Sequence, residues 1–412
     1  MLFAAGATAG AQQLPHLAAA QGLGEGSRQP GDSAYAIPNA AARPKRSATP
    51  WAVRMARSVM TRNPQTHRRW DYTAGVVLTA MERVALARND RAMLDYVKAN
   101  TDRFLGPDGS IVGYDSSDWN LDQVSQGRVL LALHARTRDA RYRRAADVLR
   151  AQLRGQPRTR EGGFWHKQVY PQQMWLDGLY MAEPFYAQYA RDFGEPSAFD
   201  DITRQFLLMA RHSTDPATGL MVHGWDAARA QKWADTLTGR SPAFWGRSLG
   251  WYLLGAVDAL DYIPATHPDR DAVIQTVRVA CEGLARVQDP LTGLWYNVLD
   301  QGDRPGNYLE GSASSIFAYV FAKGARLGYL DARYRRLAER AFDGLLSNLV
   351  RENADGTVSL TNIMQSAGLG GSNRKDGSYR SGTFFYYNTE PVVTDDYKGV
   401  GPFIMAAQEL GR

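Results

Sequence analysis

DPATGLMVHGWD (215–226) and DPLTGLWYNVLD (289–300) are two copies of one local design: an Asp, a Thr-Gly turn, then a short stretch of extended character. The same build recurs as GPDGSIVGY (106–114), REGGFWHK (160–167) and NADGTVSL (353–360). In chain order the five segments start 54, 55, 74 and 64 residues apart. Asp, Gly and Thr in this order favour a turn. The intervals carry apolar residues at helical spacing, as in Val124 to Leu133 and Leu249 to Leu260, and an interval of that length accommodates two helices. Trp51 to Ala87 supplies a first unit and GPFIMAAQEL (401–410) a closing helix, which brings the count to six helical hairpins. The expected fold is therefore all-α, an (α/α)6 barrel or six-hairpin toroid. Its inner helices start from the face that bears the turns, and residues just after the turns line one central funnel.

Composition agrees with a large globular chain: of 412 residues, 44% are hydrophobic and 22% charged, enough for a sizeable core. Length alone favours two or three domains, but a closed ring of repeats commonly exceeds that prior as one domain. We expect a catalytic toroid over 51–412, preceded over 1–50 by a signal remnant and flexible arm. The first residues, MLFAAGATAGAQQ, place Ala9 and Ala11 as at a signal-peptidase site but lack a basic and a long apolar region. They read as the tail of an export signal, hence a periplasmic or secreted location, or as an alanine-rich leader. The net charge of +6 rests mainly on arginine, 48 basic residues less seven lysines leaving 41. These are scattered, so no nucleic-acid footprint forms, and no apolar run is long enough to span a membrane. Cys281, the single cysteine, excludes an intramolecular disulfide and a cysteine metal site, and is expected to pack in a helix.

The chemistry concentrates in QMWLDGLYMAEPFYAQY (173–189), where Asp177 is bracketed by Trp175, Tyr180 and Met181. Burial against apolar rings raises a carboxyl pKa and makes Asp177 a candidate general acid. Aromatic floors also bind sugar rings, which makes Trp175 a candidate substrate contact, and Met181, which brackets Asp177 from the other side, is taken as a second. The same residues also read as a helix cap followed by core. Asn120 and Asp122 in WNLDQVSQGR (119–128) follow the first of the five turns. Asp122 is expected to face Asp177 and hinder its ionisation, or else to serve as an N-terminal helix charge. His166 and Lys167 follow the GGFW turn, and His223, Trp225 and Asp226 follow the next in the same relative place; either histidine also suits a bond to a loop carbonyl. SPAFWGRSLGWY (241–252) sets Arg247 between Trp245 and Trp251. An arginine so placed grips a carboxylate with two hydrogen bonds while stacking on a ring, the competing role being an ion pair with Asp258. No metal-ligand spacing, phosphate loop, dinucleotide fingerprint or GxSxG elbow is present. GSASS (311–315) suits a close helix contact.

GFWHKQVYPQQMWLDG, WLDGLYMAEPFYAQY, GLMVHGWD, SPAFWGRSLGWY and GVGPF, in their order, resemble glycoside hydrolase family 105, the unsaturated rhamnogalacturonyl hydrolases, from about Trp70 to the end. The resemblance implies an (α/α)6 enzyme that removes a 4,5-unsaturated uronic acid from the non-reducing end of lyase-generated oligosaccharides. By it Asp177 matches the catalytic acid and Asp122 the second carboxylate, while His166, Lys167, His223, Trp245, Arg247 and Trp251 match pocket positions. The implied chemistry is protonation at C4 of the enol ether and addition of water at C5, with Arg247 and Lys167 on the uronate carboxylate. No cofactor or metal is expected, and the partner is the unsaturated oligosaccharide, taken by a monomer or weak homodimer. The arm at 21–50 and the loop GLGGSNRKDGSYRSG (368–382) lie outside these motifs and bear on the leaving sugar. Three other readings stay open: an unsaturated glucuronyl hydrolase acting on ulvan-type oligosaccharides, an inverting glycosidase on a saturated sugar, and a nonenzymatic carbohydrate-binding toroid. A cytoplasmic location is the alternative to export.

Overall fold

The computed structural model describes residues 49–373 and 376–412. The arm expected over 1–50 therefore falls, but for its last two residues, outside the described residues. From Trp51 onward the chain alternates outer and inner helices. The first three pairs are α1 (Trp51–Arg62) with α2 (Tyr72–Arg88), α3 (Arg91–Asp102) with α4 (Gly127–Thr137), and α5 (Ala140–Gly155) with α6 (Leu176–Phe193). The next two are α7 (Ala198–Ser213) with α8 (Gly246–Ala259) and α9 (Arg270–Arg286) with α10 (Gly311–Arg326). After α11 (Arg333–Asn348) a short helix α12 (Phe384–Thr389) intervenes before the last inner helix, α13 (Tyr397–Leu410).

Sequence pattern decides which helix goes where. On α11 the apolar residues Tyr334, Ala338, Ala341, Phe342 and Leu345 recur at three- and four-residue spacing and are buried, while its arginines face outward. On α8 every residue is buried, as befits a helix surrounded by others. The inner helices pack in the cyclic order α2, α4, α6, α8, α10, α13 and back to α2, with the outer helices behind them. The expected toroid is thus the observed fold, and the GPFIMAAQEL segment closes it. Glycine lets neighbours approach: a Cβ on Gly255 would lie 2.9 Å from the backbone nitrogen of Tyr180 on α6. A Cβ on Gly246, at the start of α8, would meet that of Ala313 at 3.1 Å, which is the close contact expected of GSASS. Cys281 is buried in α9.

The turns are built as their sequences require. Asp215 Oδ1 accepts bonds from the Ala217 and Thr218 backbones and the Thr218 hydroxyl, and Asp289 does the same with Leu291 and Thr292. Each turn ends on a glycine at positive φ, +75° at Gly219 and +76° at Gly293, which a side chain would strain. In a third copy, DTLTG (235–239), which the sequence reading passed over, Asp235 Oδ1 accepts the same bonds from Leu237 and Thr238. Short antiparallel pairs complete this face: β1 (Gln173–Trp175) with β2 (Gly224–Asp226), β3 (Val350–Glu352) with β4 (Val358–Leu360), and β5 (Ile363–Met364) with β6 (Val392–Val393).

At the opposite end of the inner ring, Asp258 in the last turn of α8 binds Arg83 from α2 at 2.9 Å, Arg128 from α4 at 2.9 Å and Lys323 from α10 at 2.7 Å. The Arg247–Asp258 pair considered from sequence is not formed. Arg247 begins α8 and Asp258 ends it, and three other cations occupy the carboxylate.

Candidate active site

Asp177 is the second residue of α6, and Trp175 caps that helix in extended conformation. Strand pairing fixes its position. Trp175 lies opposite Gly224, and the Leu176 N–H donates to the carbonyl of His223 at 3.0 Å. The end of β1 therefore delivers Asp177 to the residue just before β2. Asp177 Oδ2 stands 3.1 Å from His223 Nε2, without hydrogen-bond alignment and with no other partner among the described residues. His223 is fully buried. Its Nδ1 meets the Tyr387 hydroxyl at 2.8 Å, and its ring is enclosed by Trp175, Trp245 and Tyr387 at centroid distances of 5.3, 4.8 and 6.0 Å.

Asp122 lies in the helical turn Leu121–Val124, capped by Asn120, whose Oδ1 accepts from the Asp122 N–H at 3.0 Å. It is bound by Lys167, and His166 Nε2 lies 3.3 Å from its Oδ1. Burial pushes this carboxyl up, but the Lys167 ammonium and His166 outweigh it and hold Asp122 well below the usual carboxylate range. Burial likewise opposes the charge of Lys167, yet Asp122 raises its pKa. Lys167, expected on a substrate carboxylate, is thus committed to Asp122. Asp122, expected to act on Asp177, is a fixed anion balanced by its own partners.

Arg247 is the second residue of α8 and 1% exposed. Its guanidinium lies 4.7 Å from the Trp245 ring centre. It donates to the Met364 carbonyl and, at 3.3 Å, to Ser312, with Glu310 at 3.8 Å. Its Nε has no partner among the described residues. Lys398 is the second residue of α13 and binds Asp396 at 2.8 Å. Burial first, and then Arg247, lower the Lys398 pKa, Asp396 opposing. Cations in the first turn oppose the helix dipole, so this end of the ring is prepared for an anion at some cost in local stability.

Of the ten sequence candidates, eight gather here. Trp175 stacks on His166 and on Tyr170 at 4.7 and 4.5 Å. Trp251 does not join them: it stacks on Tyr180 at 4.8 Å in the seam between α6 and α8. Met181 is packed in the main core. Met181 follows Asp177 and Trp251 follows Arg247 by four residues each, which sets both deeper along their helices, among core side chains. Trp225 turns outward onto His212, at a centroid distance of 3.6 Å, and Asp226 is consumed by the backbone N–H groups of Ala228, Ala230 and Gln231.

Two functional candidates escaped the sequence reading. Tyr387 comes from α12, beyond the last turn repeat; burial, then Tyr386 and Asp177, push its phenol well up. Tyr72 opens α2, and burial of its hydroxyl together with the Asp122 charge pushes its phenol up, with Asp177 also acting on it and Arg247 opposing. The available signal for Tyr72 was positional, since it starts an inner helix as Leu176 and Gly246 do. No group of three or more His, Cys, Asp or Glu side chains suited to a metal occurs among the described residues. None of the described helices is long and apolar enough to cross a membrane.

The model of glycosyl hydrolase family 88 matches residues 51–412. The unsaturated rhamnogalacturonyl hydrolase YesR of Bacillus subtilis is 30% identical over 305 residues, covering 72% of this chain and 82% of its own length. A Clostridium acetobutylicum structure described as a glycoside hydrolase from family 105 is 40% identical, with a TM-score of 0.85 over 88% of this chain and 99% of that one. A possible family 105 member from Salmonella enterica, 24% identical with a TM-score of 0.68 over 83% of each chain, shares the fold.

Proposed function

Because the chain belongs to glycosyl hydrolase family 88 and is thus a glycosidase, we propose that it removes a 4,5-unsaturated galacturonyl residue from the non-reducing end of oligosaccharides whose next sugar is rhamnose. The likeness to the Bacillus rhamnogalacturonyl hydrolase and to the family 105 structure supports this substrate. One observation carries the chemistry: of the two carboxylates, Asp122 is bound by Lys167 and His166, whereas Asp177 Oδ2 has no aligned hydrogen bond among the described residues. A single free carboxyl suits a reaction that needs one group to give a proton and take one back. An inverting glycosidase needs a separate acid and base.

Asp177 in its acid form gives its proton to C4 of the enol ether, and positive charge develops at C5 and the ring oxygen. Water attacks C5 and its proton passes to the Asp177 carboxylate, which regenerates the acid. The C5 hemiketal opens to a ketone, and the hemiacetal left at C1 then releases the aglycone as an alcohol. His223, held by Tyr387, orients Asp177. The anionic Asp122 stabilises the cationic transition state. Arg247 takes the uronate carboxylate at the cationic helix starts.

The test is loss of enol-ether absorbance on a lyase-generated unsaturated rhamnogalacturonan disaccharide. Asp177→Asn is expected to lose about 10³-fold or more in kcat, the upper range for general acid–base catalysis, with KM little changed. Turnover by that variant would remove Asp177 from the role. Turnover of the glucuronyl analogue alone would reassign the substrate.

A further inference from the structure

Glu183, six residues beyond Asp177 on α6, is 1% exposed, and neither carboxyl oxygen has a hydrogen-bond partner among the described residues. A buried acid left without a hydrogen bond costs about 1–3 kcal/mol or more, so its retention calls for a reason. Arg150 on α5, Arg158 before β1 and Asp201 on α7 act on it. None of these cations forms its ion pair there, since Arg158 binds Asp201 and Arg150 binds Glu195. Burial and Asp201 push the Glu183 carboxyl well up, the two arginines opposing.

Glu183 lines a small cavity shared with His166, Gly178 and Gln205. His166 is 2% exposed. Its Nε2 serves Asp122, while its Nδ1 has no partner among the described residues and lies against Gly178, where a Cβ would come within 3.0 Å. The amide of Gln205 is committed elsewhere: its Nε2 donates to Gly162 and Asp201, and its Oε1 accepts from Phe164. Two polar groups without a hydrogen-bond partner among the described residues, Glu183 and His166 Nδ1, therefore line one small cavity. The cavity offers about 10 Å³ to the centre of a water-sized sphere, roughly what a single water needs.

We propose that Glu183 is a positioning residue for the active site, acting through one water in this cavity to fix His166 and, through His166, Asp122. The Glu183 O–H donates to the water, the water donates to His166 Nδ1, and the His166 Nε2–H donates to Asp122. That chain selects one imidazole tautomer, as partners behind a functional histidine do. It leaves both Asp122 oxygens accepting bonds. The role in turnover rests on the proposed function; the tautomer does not.

The experiment compares Glu183→Gln and Glu183→Leu by imidazole ¹⁵N NMR without substrate, with His166→Gln assigning the signal, and by kinetics on the unsaturated disaccharide. Wild type and Glu183→Gln, whose amide supplies the same neutral donor, are expected to show His166 protonated at Nε2 alone. Glu183→Leu is expected to mix the tautomers and to lower kcat on the order of 10- to 100-fold, the scale of a small misplacement, with KM held and the melting temperature not lowered. An unchanged His166 signal in Glu183→Leu overturns the relay whatever the substrate proves to be. Equal loss of kcat in both variants shows that the charge of Glu183 is needed and overturns it as well. Absence of turnover in wild type, with the tautomer shift present, strikes the functional reading and leaves the relay standing.

Discussion

Asp177 reaches its partners because β1 ends one residue before α6 begins, and His223 because β2 begins one residue after it. Tyr387 closes the set from the far end of the chain, 164 residues from His223. Tyr387→Phe removes the bond to His223 Nδ1 and keeps the ring stacked on Trp245, now 5.4 Å away. We expect kcat to fall about ten-fold, one hydrogen bond's worth, with KM little changed; wild-type turnover would show that His223 needs no anchor. Glu183 gives a second prediction, in stability. Its folded-state pKa is raised, so its favourable contribution is complete below about pH 4.3, its unfolded value. It is lost progressively as the pH rises from there through the folded-state value. Glu183→Gln has no charge to suppress and should melt above wild type at pH 8, with the gap narrowing toward pH 4. A constant gap across that range would mean that Glu183 is already ionised in the fold.

The helices explain what was legible. His166 and His223 could be singled out because each follows a recognisable turn, and Asp177 and Arg247 because each stands among aromatic residues at the head of an apolar helical run. Trp251 and Met181 were misplaced for the complementary reason. On helices buried all round, apolar periodicity does not say which ring faces the funnel and which faces a neighbour. Tyr387 was missed because the 368–382 loop and α12 have no counterpart in the repeat, and Glu183 because a buried acid reads in sequence as a surface one. Where inner helices touch, the limits are steric. Alanine at Gly255 would set its Cβ 2.9–3.0 Å from the backbone of Leu179 and Tyr180. That forces α8, which carries Arg247, away from α6, which carries Asp177. Gly255→Ala is expected to cost about 1–3 kcal/mol, as overpacking does, and to lower kcat on the unsaturated disaccharide although no side chain in the site has changed. Calorimetry and kinetics of the one variant test both. Lost stability with intact kcat would mean that the helices yield elsewhere.

On the scale of the whole ring the two ends divide the work. At one end the inner helices begin, with Asp177, Arg247 and Lys398 each the second residue of its helix. At the other, Arg83, Asp258 and Lys323 lie near the ends of α2, α8 and α10. Cations at helix C-termini are favoured by the dipole, and one fully buried carboxylate ties two such cations, Arg83 and Lys323, to Arg128 from the start of α4, with the Tyr319 hydroxyl donating to it at 2.8 Å. Burial opposes the charge of Asp258, but Arg83, Lys323 and Arg128 outweigh it and hold its pKa well below the ordinary range. This knot joins α2, α4, α8 and α10 directly, so it locks the circumference more than any single seam. Asp258→Asn keeps the volume and leaves three cations facing a neutral amide. Removing one partner of such a buried cluster costs about 3–5 kcal/mol. The carboxylate's contribution is present above about pH 3.9, its unfolded value, and is lost as the pH falls through the folded one. The gap between wild type and Asp258→Asn should therefore be full at pH 7 and shrink in acid. Because the knot lies away from the catalytic end, kcat well below the melting temperature should stay at the wild-type value. If turnover fell together with stability, the two ends would be coupled through the inner helices, and the separation of a stabilising end from a reacting end would have to be given up.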